Sequence, residues 1–121
     1  MLITAIKQTS PGRLTVTLED EREIKTTLGV VTDLRLFSGR ELDEGALEEL
    51  ERESRRALTR EKALEYLSRR AMSRKELEKK LTDKGYDEED AAYCAAWLAE
   101  RGLIDDAGYA AAVARHYSAK G

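Results

Sequence analysis

The chain has 121 residues, with 21 Lys and Arg against 24 Asp and Glu for a net charge of −3, and 41% of its residues are hydrophobic while 37% are charged. That composition suits one compact domain or two small ones, apolar enough to fold but too charged for a broad core. The absence of a run of about 18 apolar residues or a signal-peptide core predicts a soluble, cytoplasmic protein without membrane contact, and a single Cys excludes an internal disulfide and a cysteine-built zinc cluster.

The first thirty residues read as strands. Leu2 to Lys7 is β-branched in part, and Ser10-Pro11-Gly12-Arg13 has the chemistry of a turn. Leu14 to Leu18 alternates, placing Leu14, Val16 and Leu18 on one face. Glu19 to Arg22 is a polar turn, and Glu23 to Thr27 a third strand. Three strands with one apolar face need a cover. A short helix carrying Val30, Val31, Leu34, Leu36 and Phe37 is expected to supply it, ending at Ser38-Gly39, with Leu42 restarting the chain.

From Asp43, a helix N-cap by type, the pattern is helical. Ala46, Leu47 and Leu50 give one stripe, and Leu64, Leu67 and Ala71 the next, with Ala57 and Leu58 a turn or two earlier. The polar stretch Glu51 to Arg56 either joins two helices or continues one. Residues 73–106 then carry two helix signatures back to back. Ser73-Arg74-Lys75-Glu76 is a capping box, Leu77 and Leu81 follow on one face, and Gly85 stops the helix. Asp87 to Asp90 open another, which runs through Ala91, Cys94, Ala95 and Leu98 to Gly102. Tyr86 and Leu103, just past the two glycines, are placed to touch Leu81 and Leu98. Asp105 or Asp106 caps a further helix over 107–121. Set in register with the earlier helix, its Tyr109, Ala110, Val113 and Arg115 fall on Ala63, Leu64, Leu67 and Arg69. This predicts a repeat whose second copy is incomplete, in a natural protein that continues past Gly121 or a chain that has been cut.

The net charge hides an uneven distribution. Residues 1–54 hold 7 basic and 12 acidic side chains, residues 55–84 hold 11 and 5, and residues 85–121 hold 3 and 7, giving balances of −5, +6 and −4. A basic middle between acidic flanks attracts a polyanion or an acidic protein patch. The plainer alternative is a solvated helical surface, blunted by Glu61, Glu65, Glu76 and Glu78.

Candidate chemistry is sparse. Cys94 falls in an apolar stripe and reads as core. His116 is the only histidine and has no evident orienting group for a nucleophile pair with Cys94. Trp97 and the tyrosines at 66, 86, 93, 109 and 117 are of a type that stacks on bases, though core packing is favoured for Tyr86 and Tyr109. The carboxylates sit at helix N-termini and in turns, where the helix dipole accounts for them. No phosphate loop, nucleophile elbow or metal-ligand spacing occurs, so neither an enzyme nor a metal or cofactor site is expected. A helix-turn-helix DNA reader would present the start of its second helix to the bases. Here that turn is four consecutive acids, leaving only sequence-indifferent phosphate contact through Arg69, Arg70, Arg74, Lys75, Lys79, Lys80 or Lys84.

Ala63-Leu64-Glu65-Tyr66-Leu67-Ser68-Arg69-Arg70, Ser73 to Leu77, Leu81 with Lys84-Gly85, and Leu98 to Asp106 followed by Tyr109-Ala110 together resemble the RecX family, regulators of the RecA recombinase. The strand-rich start, with Gly39 and Leu42, is similar to the amino-terminal extension of many members. The resemblance implies a non-enzymatic modulator built from tandem three-helix repeats. Such a protein binds RecA and its filament on single-stranded DNA, inhibiting strand exchange and the SOS coprotease activity. Members typically carry about three repeats, so the later ones are missing here.

The expected architecture is therefore α+β. Residues 1–53 form a three-stranded antiparallel β unit with a short helix, 54–106 a helix-turn-helix-like three-helix repeat, and 107–121 the first helix of a second. Arg69, Arg70, Arg74, Lys75, Lys79 and Lys80 are expected to face RecA or its DNA. Alternative readings are a stand-alone, sequence-indifferent nucleic-acid module contacting through 55–84, or a protein-interaction scaffold.

Overall fold

Period-two alternation sets the first three elements. β1 (Ile3–Ser10), β2 (Arg13–Leu18) and β3 (Glu23–Thr27) pair antiparallel in the order β1-β2-β3, as the sequence predicts. A computed structural model describes residues 1–104. The caps expected at Asp105 and Asp106, the helix expected over 107–121, and His116, Tyr109 and Tyr117 lie outside the described residues.

The strand register puts Val16 opposite both Ile6 and Ile24, and Leu18 opposite Ile3. Ile3, Val16 and Leu18 are buried accordingly, while Leu14 is half-buried. Pro11-Gly12 joins β1 to β2, with the proline fixing one dihedral and Gly12 taking the left-handed φ of 76° that the turn needs. The second turn achieves the same reversal without glycine. Glu21 sits at φ 69°, an uncommon state for a residue with a Cβ. Its neighbour Asp20 braces the turn by accepting from the Arg22 backbone N–H at 3.1 Å and from its Nε at 2.7 Å. Those contacts, the backbone one foremost, hold the Asp20 carboxyl below its usual range.

The cover over the sheet is shorter than expected. α1 spans only Leu28–Asp33, capped by Thr27, whose hydroxyl accepts from the Val30 N–H at 3.3 Å. Arg35 then takes a left-handed φ of 53° and ends any helical continuation. Leu36 turns into the core while Phe37 is left 59% exposed. Arg40 holds this corner by donating from Nη1 to the Leu34 and Arg35 carbonyls. Residues 39–41 return alongside the start of β1, with Gly39 N–H donating to the Ile3 carbonyl at 2.7 Å and Ile3 N–H to the Arg40 carbonyl at 2.9 Å. This shields the first residues of an edge strand.

α2 (Glu44–Arg69) starts at the expected cap, Asp43, whose Oδ1 accepts from the Ala46 N–H at 2.7 Å. It continues unbroken through Glu51 to Arg56, which resolves that polar stretch as helix. Met1–Leu58 form one compact unit and the chain from Thr59 another, so α2 contributes to both. In the first unit Val30, Leu36, Leu42, Leu50 and Ala57 close over Ile3, Val16 and Leu18. One polar contact is buried among them: Ser54 Oγ and Thr26 Oγ1, 2.8 Å apart, satisfy each other.

The second unit packs the end of α2 with α3 (Arg74–Lys84) and α4 (Glu88–Glu100). The capping box at α3 is formed: Ser73 Oγ accepts from the Glu76 N–H at 3.1 Å, and Glu76 Oε1 accepts from the Ser73 N–H at 3.4 Å. Gly85, at φ 108°, closes α3, with its own N–H on the Thr82 carbonyl and the Tyr86 N–H on the Leu81 carbonyl. Asp87 caps α4 by accepting from the N–H groups of Glu89 and Asp90. Gly102 repeats the closing motif, with the Leu103 N–H reaching the Leu98 carbonyl at 3.0 Å. The side chain does not follow: Leu103 is 53% exposed, and its successor Ile104 enters the core instead.

That core contains Leu77, Leu81, Ala91, Ala95, Leu98 and Met72. On α2 the buried positions are Ala63 and Tyr66, rather than the expected stripe of Leu64, Leu67 and Ala71. Leu64 is exposed, Leu67 lies at the edge, and Ala71 falls beyond the helix end. A stripe chosen by aliphatic side-chain size misses a seam made of one small and one aromatic residue.

Candidate functional site in the helical unit

The basic middle of the sequence converges on one concavity. Tyr66 and Arg70 at the end of α2, with Glu76, Lys79, Lys80, Asp83 and Lys84 of α3, line an open hollow of about 470 Å³. Helical spacing assembles it, since Glu76, Lys79, Lys80, Asp83 and Lys84 recur at three- and four-residue intervals on one side of α3. Leu77 and Leu81, on a neighbouring face of the same helix, are buried. The core therefore fixes which charges point outward.

The hollow holds four cations and two carboxylates. Arg70 Nη2 pairs with Glu76 Oε2 at 2.9 Å, and Lys79 Nζ with Asp83 Oδ2 at 2.8 Å. The hydrogen bond to Asp83 raises the Lys79 ammonium above its usual range. Lys80 Nζ lies 4.9 Å from the Tyr66 ring centroid and Lys62 Nζ 5.2 Å from it, within cation–π range. Beside the hollow, Glu65 pairs with Lys62 at 3.2 Å and with Arg69 at 2.9 Å. Lys62, ahead of Arg69 and Lys84, lowers the Glu65 carboxyl below its usual range. The surface is cationic on balance but laced with local pairs, as its interspersed acids suggest.

The six side chains expected to face a partner divide between two settings. Arg70, Lys79 and Lys80 line the hollow; Arg69, Arg74 and Lys75 do not. Arg74 turns to Glu78, its Nε at 3.3 Å from Oε1, and Arg69 to Glu65. Lys84 lines the hollow although it stood outside that set, and its place four residues after Lys80 is the signal that identifies it. Tyr66 contributes the aromatic floor for the Lys80 ammonium.

Elsewhere in this unit, Cys94 is buried, as its apolar stripe predicts. Tyr66 is buried, Tyr86 packs against the core, and Tyr93 remains 40% exposed. Trp97 is held at the core edge beneath two guanidiniums. Among the described residues no helix is long and apolar enough to cross a membrane.

Both sequence and fold have counterparts. The family model for RecX, first three-helix domain, matches residues 60–98, the stretch that contains the whole lining of the hollow. The chain is similar to the regulatory protein RecX of Leuconostoc citreum, 30% identical over 112 residues, which is 93% of this chain and 41% of that protein. Similarity to the regulatory protein RecX of Levilactobacillus brevis is 33% over 115 residues, or 94% of this chain and 43% of that one. The chain thus spans less than half the length of these relatives. A crystal structure of regulatory protein RecX aligns with a TM-score of 0.74 at 28% identity, covering 95% of this chain and 57% of the other. With a three-stranded sheet followed by helices and these relatives across nearly its whole length, the chain belongs to the RecX family and carries that family's first three-helix domain.

Proposed function

We propose that the chain acts as a RecX-type modulator that binds the RecA recombinase assembled on single-stranded DNA and restrains recombination and SOS coprotease activity. The observation that carries this reading is the similarity to proteins named regulatory protein RecX along 93–94% of the chain, through the β unit as well as the helices. A regulator that docks on a filament needs an exposed binding surface, and the hollow in the helical unit is open and cationic. In this reading the hollow faces the filament or the DNA it encloses, with Arg70, Lys79, Lys80 and Lys84 as phosphate or carboxylate contacts. Arg69, Arg74 and Lys75 flank that contact. The protein works in the cytoplasm, where RecA is, and by binding rather than catalysis.

Binding of this chain to RecA filaments on single-stranded DNA, with naked DNA alongside across a salt series, tests the reading. Tight filament binding with weaker, salt-sensitive binding to naked DNA supports it. The same four cations favour a second reading, a nucleic-acid module acting alone. Equal affinity for filament and naked DNA would select that one.

A further inference from the structure

The helical unit has a second exposed surface, and its chemistry differs from the lysine-rich hollow. Trp97 sits on α4 with the Arg101 Cζ over its ring at 3.6 Å and the Arg60 Cζ over it at 4.9 Å. Arg101 also donates from Nη1 to the Trp97 carbonyl at 3.2 Å, which fixes the guanidinium in place. Two exposed apolar side chains lie a helical turn from this stack. Leu64, one turn on from Arg60 along α2, is 43% exposed, and Tyr93, one turn before Trp97 on α4, is 40% exposed. Among the described residues neither Arg60 nor Arg101 has a carboxylate within salt-bridge distance, whereas Arg69, Arg70 and Arg74 each have one.

We propose that this α2/α4 face is a docking surface for an acidic, apolar-edged segment of a protein partner. Carboxylates would engage Arg60 and Arg101, and apolar side chains would pack on Leu64, Tyr93 and the exposed part of Trp97. Three observations select a protein segment over a nucleic acid. The Trp97 ring already carries a stacked guanidinium and packs against the core on its inner side, so a nucleobase would have to displace Arg101 to stack there. The start of the same helix bears exposed Glu88 and Glu89, which repel a polyphosphate chain more than a segment with a few placed carboxylates. Tryptophan, tyrosine and arginine around an apolar patch, with the arginines held before binding, is the composition of a protein-interface anchor. Stacking removes much of the rotamer freedom that a free arginine loses on binding, which lowers the cost of association.

Trp97 is the only tryptophan in the chain, so its emission reports this face directly. The experiment titrates the full chain with two defined probes. One is an amphipathic peptide of Glu, Leu and Ala without aromatic residues; the other is an oligo-dT of matched charge. The expected result is a saturable change in Trp97 emission with the peptide. Arg101→Ala and Arg60→Ala should each weaken it about tenfold, and Arg101→Lys, which keeps the charge but not the planar fork, should weaken it by an intermediate factor. Lys79→Glu with Lys80→Glu removes carboxylate binding at the hollow, so the Trp97 emission change should persist in that variant. Unchanged far-ultraviolet circular dichroism in each variant separates lost contact from lost fold. No emission change with the peptide, or one that survives Arg101→Ala in a folded variant, overturns the proposal. An oligo-dT signal at Trp97 that Arg101→Ala abolishes assigns the face to nucleic acid instead. Both probes are free of RecA, so the outcome stands whether or not the filament reading holds.

Discussion

Glu76 performs two tasks with one carboxylate, and substitutions can separate them. Oε1 accepts from the Ser73 N–H in the capping box, while Oε2 pairs with Arg70 inside the hollow. Glu76→Gln keeps an oxygen for the box, since Glu and Gln both serve there, but removes the charge. The lost ion pair lies at the surface, with both side chains more than a third exposed, so its net worth is between zero and about 1 kcal/mol. Glu76→Ala loses the box as well, and Ser73→Ala loses the acceptor for the Glu76 N–H, a cap change that costs about 1 kcal/mol. Stability should therefore fall in the order wild type and Glu76→Gln, then Ser73→Ala and Glu76→Ala. Binding to single-stranded DNA should move in the opposite sense for Glu76→Gln, because the hollow then holds four cations against one carboxylate. Removing one unit of repulsion at about 4 Å in water is worth roughly 1 kcal/mol, or about fivefold in affinity at low salt, fading as salt screens it. Urea titration followed by Trp97 emission measures the first effect, and fluorescence anisotropy of a labelled oligonucleotide the second. A Glu76→Gln protein as unstable as Glu76→Ala, or one with unchanged DNA affinity at low salt, would refute the division of labour.

The distinction between lining and flanking cations predicts that Arg70→Glu weakens filament binding several-fold more than Arg74→Glu, read in a pull-down or anisotropy series. Leu77→Ala, at a fully buried site, should destabilise the helical unit by about 2–5 kcal/mol, shown by an earlier urea midpoint for Trp97 emission. Gly85→Ala meets nothing within 4 Å of the new Cβ but must hold φ 108°, so its cost is conformational only, about 1–2 kcal/mol. The lowered Glu65 carboxyl stabilises the fold at neutral pH and loses that contribution as pH falls through its folded pKa. Because Glu65 is exposed, Glu65→Gln should flatten the acid limb of the stability profile only slightly.

Local chemistry was the most legible part of the sequence. The capping box at Ser73, the caps at Asp43 and Asp87, and the glycine stops at 85 and 102 all rest on short-range rules, and all are formed. Strand alternation likewise placed Val16 and Leu18 inward. What sequence periodicity did not show is set by tertiary packing. Ala63 and Tyr66 form the buried seam of α2 where larger leucines were expected, because which face of α2 meets the core is set by the packing of α3 and α4 and not by side-chain size. Phe37 stays outside because Arg35 breaks the helix at a left-handed residue that nothing nearby in the sequence announces. The basic candidates were found by charge, but charge alone cannot separate Arg70, Lys79 and Lys80 from Arg69, Arg74 and Lys75. That division depends on where α2 ends and how α3 turns its buried face. The guanidiniums over Trp97 bring together residues 60, 97 and 101 from two helices, a proximity that no local pattern encodes.

Filament binding by the wild-type chain beside a Lys79→Glu/Lys80→Glu variant tests the central claim most directly. RecA would be assembled on single-stranded DNA and titrated at near-physiological salt, with naked DNA as the reference. Wild-type binding that is tighter to the filament than to naked DNA, and about tenfold weaker in the folded double variant, is the expected result. Equal wild-type affinity for filament and naked DNA, or a double variant that binds the filament as well as wild type, would contradict it.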